Sequence, residues 1–147
     1  MASAFQKLDN LLAWVCRILI GGIFIYAGML KALDPSQFLT DVENYRLFPH
    51  FFSVVIALYL PWIEILCGLS LWIFRWDRGA LLILWILMLG FTGALASAWA
   101  RGLNITCGCF GKSDHPVSYT MLLLRDFAIM MFLGVVSYHQ FLKDRKN

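Results

Sequence analysis

Two cysteines with a single glycine between them stand in the stretch Arg101-Gly102-Leu103-Asn104-Ile105-Thr106-Cys107-Gly108-Cys109-Phe110-Gly111-Lys112. They are the residues in this sequence best suited to chemistry. Such a pair can close a very small disulfide ring, which departs from relaxed disulfide geometry and stores strain. Strained, exposed disulfides are more oxidising than structural ones and belong to the labile or catalytic kind. Gly108 and Gly111 supply backbone freedom where the turn requires it. Three chemistries fit the spacing: thiol–disulfide exchange at Cys107 and Cys109, one static structural disulfide, or part of a copper or zinc site with His115 as third ligand. The further His or Met cluster expected of a dedicated metal carrier is missing from the sequence.

The other candidates are charges set inside apolar runs: Arg17, Glu64, Arg125 and Asp126. A charge in hydrocarbon is costly, so it is expected to face a bundle interior and to have a partner. Depth along each helix suggests the pairings. Arg17 lies about 9 Å and Glu64 about 15 Å from the same end of their spans, a difference an arginine side chain can bridge. Arg125 and Asp126 lie about 10 Å from the opposite end, near the depth of Tyr26 and just below Lys31. The expectation is two polar layers, Arg17 with Glu64, and Arg125, Asp126, Tyr26 and Lys31 together. They can serve as structural clasps, as a proton relay, or as an anchor for a polar head group such as a quinone. Pro61 precedes Glu64 within a span and removes a backbone hydrogen bond, so a packing kink or the floor of a site is expected there. Cys16 and Cys67 read as small packing residues. Their similar estimated depth leaves a second redox pair, or soft metal ligands, open.

The elements that must position these residues follow from composition. Hydrophobic residues make up 61% of the 147 and charged residues 14%, with a mean hydropathy of +0.72. Soluble domains average roughly 45–50% apolar and 25% charged, so a lipid bilayer is the implied solvent. The net charge of +3 is spread along the chain and forms no basic patch, which argues against nucleic-acid binding. Four apolar runs, near residues 11–31, 51–74, 79–100 and 118–141, each reach the roughly 20 residues that a spanning helix needs. The expected fold is an all-α, four-span bundle in one domain covering 1–147. Arg17 interrupts the first run and no small-residue cleavage site follows, so that run is expected to stay as a helix rather than leave as a signal peptide. Lys7, Arg75, Arg78, Lys143, Arg145 and Lys146 outnumber Lys31, Arg46, Arg101 and Lys112 on the other side. By the positive-inside rule both termini are expected to be cytoplasmic, with loops 32–50 and 101–117 outside. In the first of these loops, Asp34-Pro35 is an N-cap followed by proline at the first helical position. Phe38, Val42 and Tyr45 then recur at helical spacing, which predicts a short amphipathic helix on the membrane surface, ended by Pro49. Gly21, Gly22 and Gly28 predict close helix approach in the first span.

These pieces combine into a pattern. Phe24-Ile-Tyr26-Ala-Gly28-Met-Leu-Lys31 is followed by Asp34-Pro35 and Phe38. Tyr45-Arg-Leu-Phe-Pro49 comes next, then Leu60-Pro61-Trp62-Ile-Glu64 with Gly68, the Cys107-Gly-Cys109-Phe-Gly111 loop, and Arg125-Asp126. From about residue 15 to 140 the chain resembles the methylamine-utilisation MauE family, within the broader DoxX-like group of four-helix membrane proteins. The resemblance implies a protein integral to the bacterial cytoplasmic membrane, with the cysteine loop in the periplasm. It implies an accessory role in maturing periplasmic methylamine dehydrogenase beside a thioredoxin-like partner. DoxX-like relatives are linked to thiol redox balance and to quinones, which makes a quinone held near Arg125 and Asp126 the implied electron acceptor. Cys16 and Cys67 are not part of the family pattern. The functional expectation is a redox-associated accessory membrane protein supporting thiol–disulfide exchange or protein maturation. The alternatives are a non-catalytic assembly factor with Cys107 and Cys109 as a structural staple, and a copper- or zinc-handling protein.

Overall fold

The computed structural model describes the backbone of residues 2–73, 77–103 and 119–144, and side-chain surroundings for 11–73, 78–103 and 120–141. Among the described residues there are five helices: α1 (Ala2–Leu33), α2 (Pro35–Asn44), α3 (His50–Ile73), α4 (Asp77–Ala100) and α5 (Tyr119–Asp144). Four carry a segment long and apolar enough to cross a membrane: Leu11–Leu33, His50–Ile73, Arg78–Ala100 and Thr120–Phe141. The chain is a multi-pass, all-helical membrane protein, and its spans fall within two residues of the expected ones.

Each long helix buries one stripe and exposes apolar residues elsewhere. Ala13, Cys16, Ile20, Phe24 and Ala27 recur every three or four residues along the buried face of α1, and Ser53, Ala57, Pro61, Glu64, Cys67 and Leu71 do so along α3. Large apolar residues such as Leu19, Met29, Leu58 and Leu66 remain exposed. In water that pattern would be an aggregation hazard, whereas in a bilayer it is the lipid-facing surface. Cys16, Ile20, Phe24, Leu71, Leu84 and Leu133 belong to the main interior cluster, and Leu95, Ala98 and Leu122 form a second one.

The closest packing lies between antiparallel α1 and α3. A Cβ at Gly21 would come within 2.9 Å of the Gly68 carbonyl oxygen, and one at Gly28 within 2.7 Å of the Pro61 carbonyl oxygen. Gly68 is equally tight, 2.7 Å from the Gly21 carbonyl oxygen. With no apolar driving force between helices in lipid, such small-residue contacts let two backbones approach and gain dispersion energy. Trp72 Nε1 adds a hydrogen bond of 3.3 Å to the Ile18 carbonyl across this interface.

That contact fixes an axial offset. Gly28 lies level with Pro61 to Glu64, so α1 ends about 8 Å beyond this level while α3 continues about 16 Å to His50. The overhang of α3 past α1 is therefore roughly 8 Å, and α2 packs on it. Asp34 caps α2, its side chain accepting from the Gln37 backbone N–H, with proline at the first turn as expected. Phe38 and Asp41 are buried, so this helix is docked on the bundle through its apolar face. It ends at Asn44, earlier than expected. Arg46 takes a left-handed backbone with φ 49° and breaks the helix before Pro49. The Pro49 carbonyl instead accepts from the Phe52 and Ser53 N–H groups at the start of α3.

Candidate functional site

The residues of interest gather where the end of α1, the middle of α3 and the underside of α2 meet. Lys31 Nζ donates to both carboxylate oxygens of Glu64, at 2.6 and 2.8 Å, and each side chain is only 2% exposed. The same ammonium lies 4.6 Å from the ring centroid of Phe91 on α4 and 5.3 Å from that of Phe38 on α2. Two aromatic faces thus complete the cation's surroundings, and cation–π attraction is strongest where water is excluded.

This pairing corrects the expected one, in which Glu64 met Arg17 and Lys31 joined Arg125 and Asp126. The reason is the helix offset. Sequence depth placed Lys31 at a membrane-exposed helix end, but α1 stops beside the middle of α3 and Lys31 sits about one turn past Gly28. Arg17 lies about 16 Å from Gly28 along α1, in the other direction, beyond the reach of its side chain to Glu64. Its Nε donates instead to the Leu71 carbonyl at 2.7 Å. Leu71 is in the last turn of α3, where carbonyls lack intrahelical donors and the helix dipole favours a cation.

Arg125 and Asp126 are neighbours in α5 and bond to one another. Arg125 Nε and Nη2 both donate to Asp126 Oδ1, at 3.1 and 2.8 Å, and Asp126 is buried. This is the geometry of an internal ion pair, and a quinone head group placed there would have to compete with it. Tyr26 is 55% exposed, on the outward face of α1 rather than in an interior layer. Cys16 and Cys67 are free buried thiols within the main apolar cluster. The α1–α3 register sets them several residues out of step, so they pack as small apolar groups and do not pair.

Asp41 and Arg101 are residues that the sequence reading did not single out. Asp41 is 4% exposed. Its Oδ1 accepts from Gln37 Nε2 at 3.2 Å, and its buried Oδ2 has no hydrogen-bond partner among the described residues. Burial pushes its carboxyl above the ordinary range, the Gln37 hydrogen bond pulls it back, and the Asp34 charge adds to the rise. A sequence signal existed: Asp41 follows Phe38 by three residues and so shares its helix face. Arg101, at the end of α4, donates to the Ser97 carbonyl of its own helix and to the Tyr45 and Arg46 carbonyls after α2. It ties the point where the second loop departs to the end of α2. Glu43 and His50, in mutual contact, add a link between α2 and α3.

Cys107, Cys109 and His115 lie outside the described residues. Among the described residues no cluster of three or more His, Cys, Asp or Glu side chains is arranged to hold a metal ion.

Comparison with known proteins adds identity to this geometry. The family model described as methylamine utilisation protein MauE matches residues 9–139. The methylamine utilization protein MauE of Paracoccus denitrificans is 32% identical over 124 residues, 83% of this chain and 66% of that protein. The protein of the same name from Methylophilus methylotrophus is 29% identical over 102 residues, 69% of this chain and 54% of its own length. The chain therefore spans a little under two thirds of one relative and about half of the other. No solved structure matches it.

Proposed function

The chain belongs to the MauE family, and on that premise we propose that it is a membrane accessory factor of methylamine utilisation that supports thiol–disulfide exchange during maturation of a periplasmic protein. Cys107 and Cys109 are the exchanging groups, the α2 end of the bundle faces the periplasm, and a thioredoxin-like protein is the partner. The observation that carries this reading is the Arg101 tether. It anchors the start of the cysteine-bearing loop to α2, and α2 rests on the sealed Lys31–Glu64 pair. The bundle is thereby a platform for the point from which that loop departs.

The exchange conserves electrons. A partner thiolate attacks one sulfur of the Cys107–Cys109 disulfide, a mixed disulfide forms, and the other cysteine leaves as thiolate. The partner's second thiolate then attacks the mixed disulfide, so that the partner becomes oxidised and the pair reduced. The reverse sequence reduces the partner.

Thiol alkylation of membranes equilibrated across glutathione buffers tests this reading. A potential near or above about −200 mV is expected, in the range of catalytic oxidants. A potential below about −300 mV would mark a structural disulfide and overturn the exchange role in favour of a non-catalytic assembly factor. The closed Lys31–Glu64 pair, whose two charges are spent on one another, is the observation that favours this second reading.

A further inference from the structure

Between α2, α3 and α4 lies a pocket of about 300 Å³, at the lower end of the range typical of small-molecule sites. Its wall is apolar and rich in rings, with Phe38, Tyr45, Phe48 and Phe91 among the lining residues. Asp41 also lines it. A carboxylate oxygen without a partner in such surroundings is an anomaly, because burying an unsatisfied polar atom is costly, and more so when it is charged. Asp41 is 96% buried, and its Oδ2 is such an atom. The rest of the fold does not require it: Phe38 docks α2, and Gln37 engages only Oδ1.

We propose that this pocket binds a lipid-phase phenol, its ring stacked among the aromatic side chains and its hydroxyl donating to the Asp41 carboxyl group, which turns its occluded Oδ2 to the pocket wall to accept it. Three observations select that chemistry. The free atom is an acceptor, so the ligand must present a donor. The wall carries the rings of Phe38, Tyr45, Phe48 and Phe91, so the group that bears the donor is favoured to be a ring that packs on them. Ile86 lines the pocket near the midpoint of α4 and is 61% exposed, so the pocket's rim reaches the surface that faces lipid. A membrane-dissolved ring can enter sideways from the bilayer. The proposal draws on neither Cys107 nor Cys109 and stands or falls independently of the exchange reading.

The test uses the full chain in lipid nanodiscs, with empty nanodiscs subtracted, and two probes of nearly equal shape. Para-octylphenol carries the donor, and para-octylanisole replaces it with a methyl ether. Wild type is expected to bind the phenol saturably and roughly ten- to a hundredfold more tightly than the ether, the range for a hydrogen bond to a charged acceptor. Asp41→Leu is expected to remove that preference while leaving weak binding of both probes. Transferred NMR contacts from the phenol ring to Phe38 and Phe91 should locate it. Equal affinity of wild type for phenol and ether overturns the proposal and needs no variant. So does an Asp41→Leu protein that unfolds at the wild-type temperature yet keeps the phenol preference, or a bound phenol showing no contact to either ring.

Discussion

Lys31 and Glu64 show how a membrane interior prices charge. Neither is tolerable alone at 2% exposure, and together they satisfy one another with two short hydrogen bonds. Removing one partner leaves an uncompensated buried charge, whereas replacing both with apolar groups can be neutral or stabilising. Lys31→Met is therefore expected to cost about 3–5 kcal/mol in unfolding assays in detergent, and Lys31→Met combined with Glu64→Leu to recover most of that loss. A double variant no more stable than the single one would show that the pair holds the bundle by more than charge cancellation. Asp41 poses the opposite problem, a carboxyl with one oxygen unsatisfied. Its carboxyl titrates above the ordinary value of 3.8 in the folded chain, so the folded state binds its proton more tightly than the unfolded state does. That contribution to stability is full below the unfolded value and is lost as pH rises through the folded one. At neutral pH the ionised group opposes folding. Asp41→Asn should melt above wild type at pH 7, with the gap closing as pH falls toward 4. A gap that is constant across this range would mean that Asp41 does not titrate as its burial implies.

At the scale of elements, the α1–α3 contact decides the rest of the architecture. Gly28 and Gly68 set the separation and the axial offset of the two helices, and the offset brings Lys31 level with Glu64 and leaves room for α2. Gly90 is a built-in control, since a Cβ there would meet nothing within 4 Å. Gly28→Ala would push its methyl into the Pro61 carbonyl and is expected to destabilise by about 1–3 kcal/mol, the usual cost of overpacking. Gly90→Ala should be neutral, or stabilising by up to about 1 kcal/mol through helix propensity. Parallel thermal melts of the two variants check the contrast, and equal effects would remove the close approach as the organising contact. The α2 helix gains its place from docking more than from intrinsic stability. Ten residues are too few for an isolated helix in water, but Phe38 buries against the bundle and Arg101 holds the carbonyls beyond the helix end.

At the scale of the molecule, four spans bring both termini to one side and the α2 and cysteine loops to the other. From the Lys and Arg distribution, the terminal side is expected in the cytoplasm. Reporter fusions at Met1 and Asn147 are expected to be active only for a cytoplasmic reporter, and a membrane-impermeant thiol reagent should reach reduced Cys107 and Cys109 from outside. Opposite labelling would invert the topology and remove the periplasmic exchange role. The sequence by itself determined the helical class, the four spans, the N-cap of α2 and the family pattern. The first three rest on local quantities, namely apolar run length, the 3.6-residue period and capping chemistry, and the last on particular motif residues in their order along the chain. It also marked Arg17, Lys31, Glu64, Arg125 and Asp126 as the charges that must be satisfied in the bundle. It did not determine which of them meet. Depth counted along each helix assumes that every helix ends at the same membrane level, and the glycine contacts between α1 and α3 break that assumption. Only the tertiary structure gives Glu64 to Lys31, sends Arg17 to the end of α3 and buries Asp41 beside an apolar pocket. Axial register between helices is a property of their packed surfaces and is not carried by either sequence segment alone.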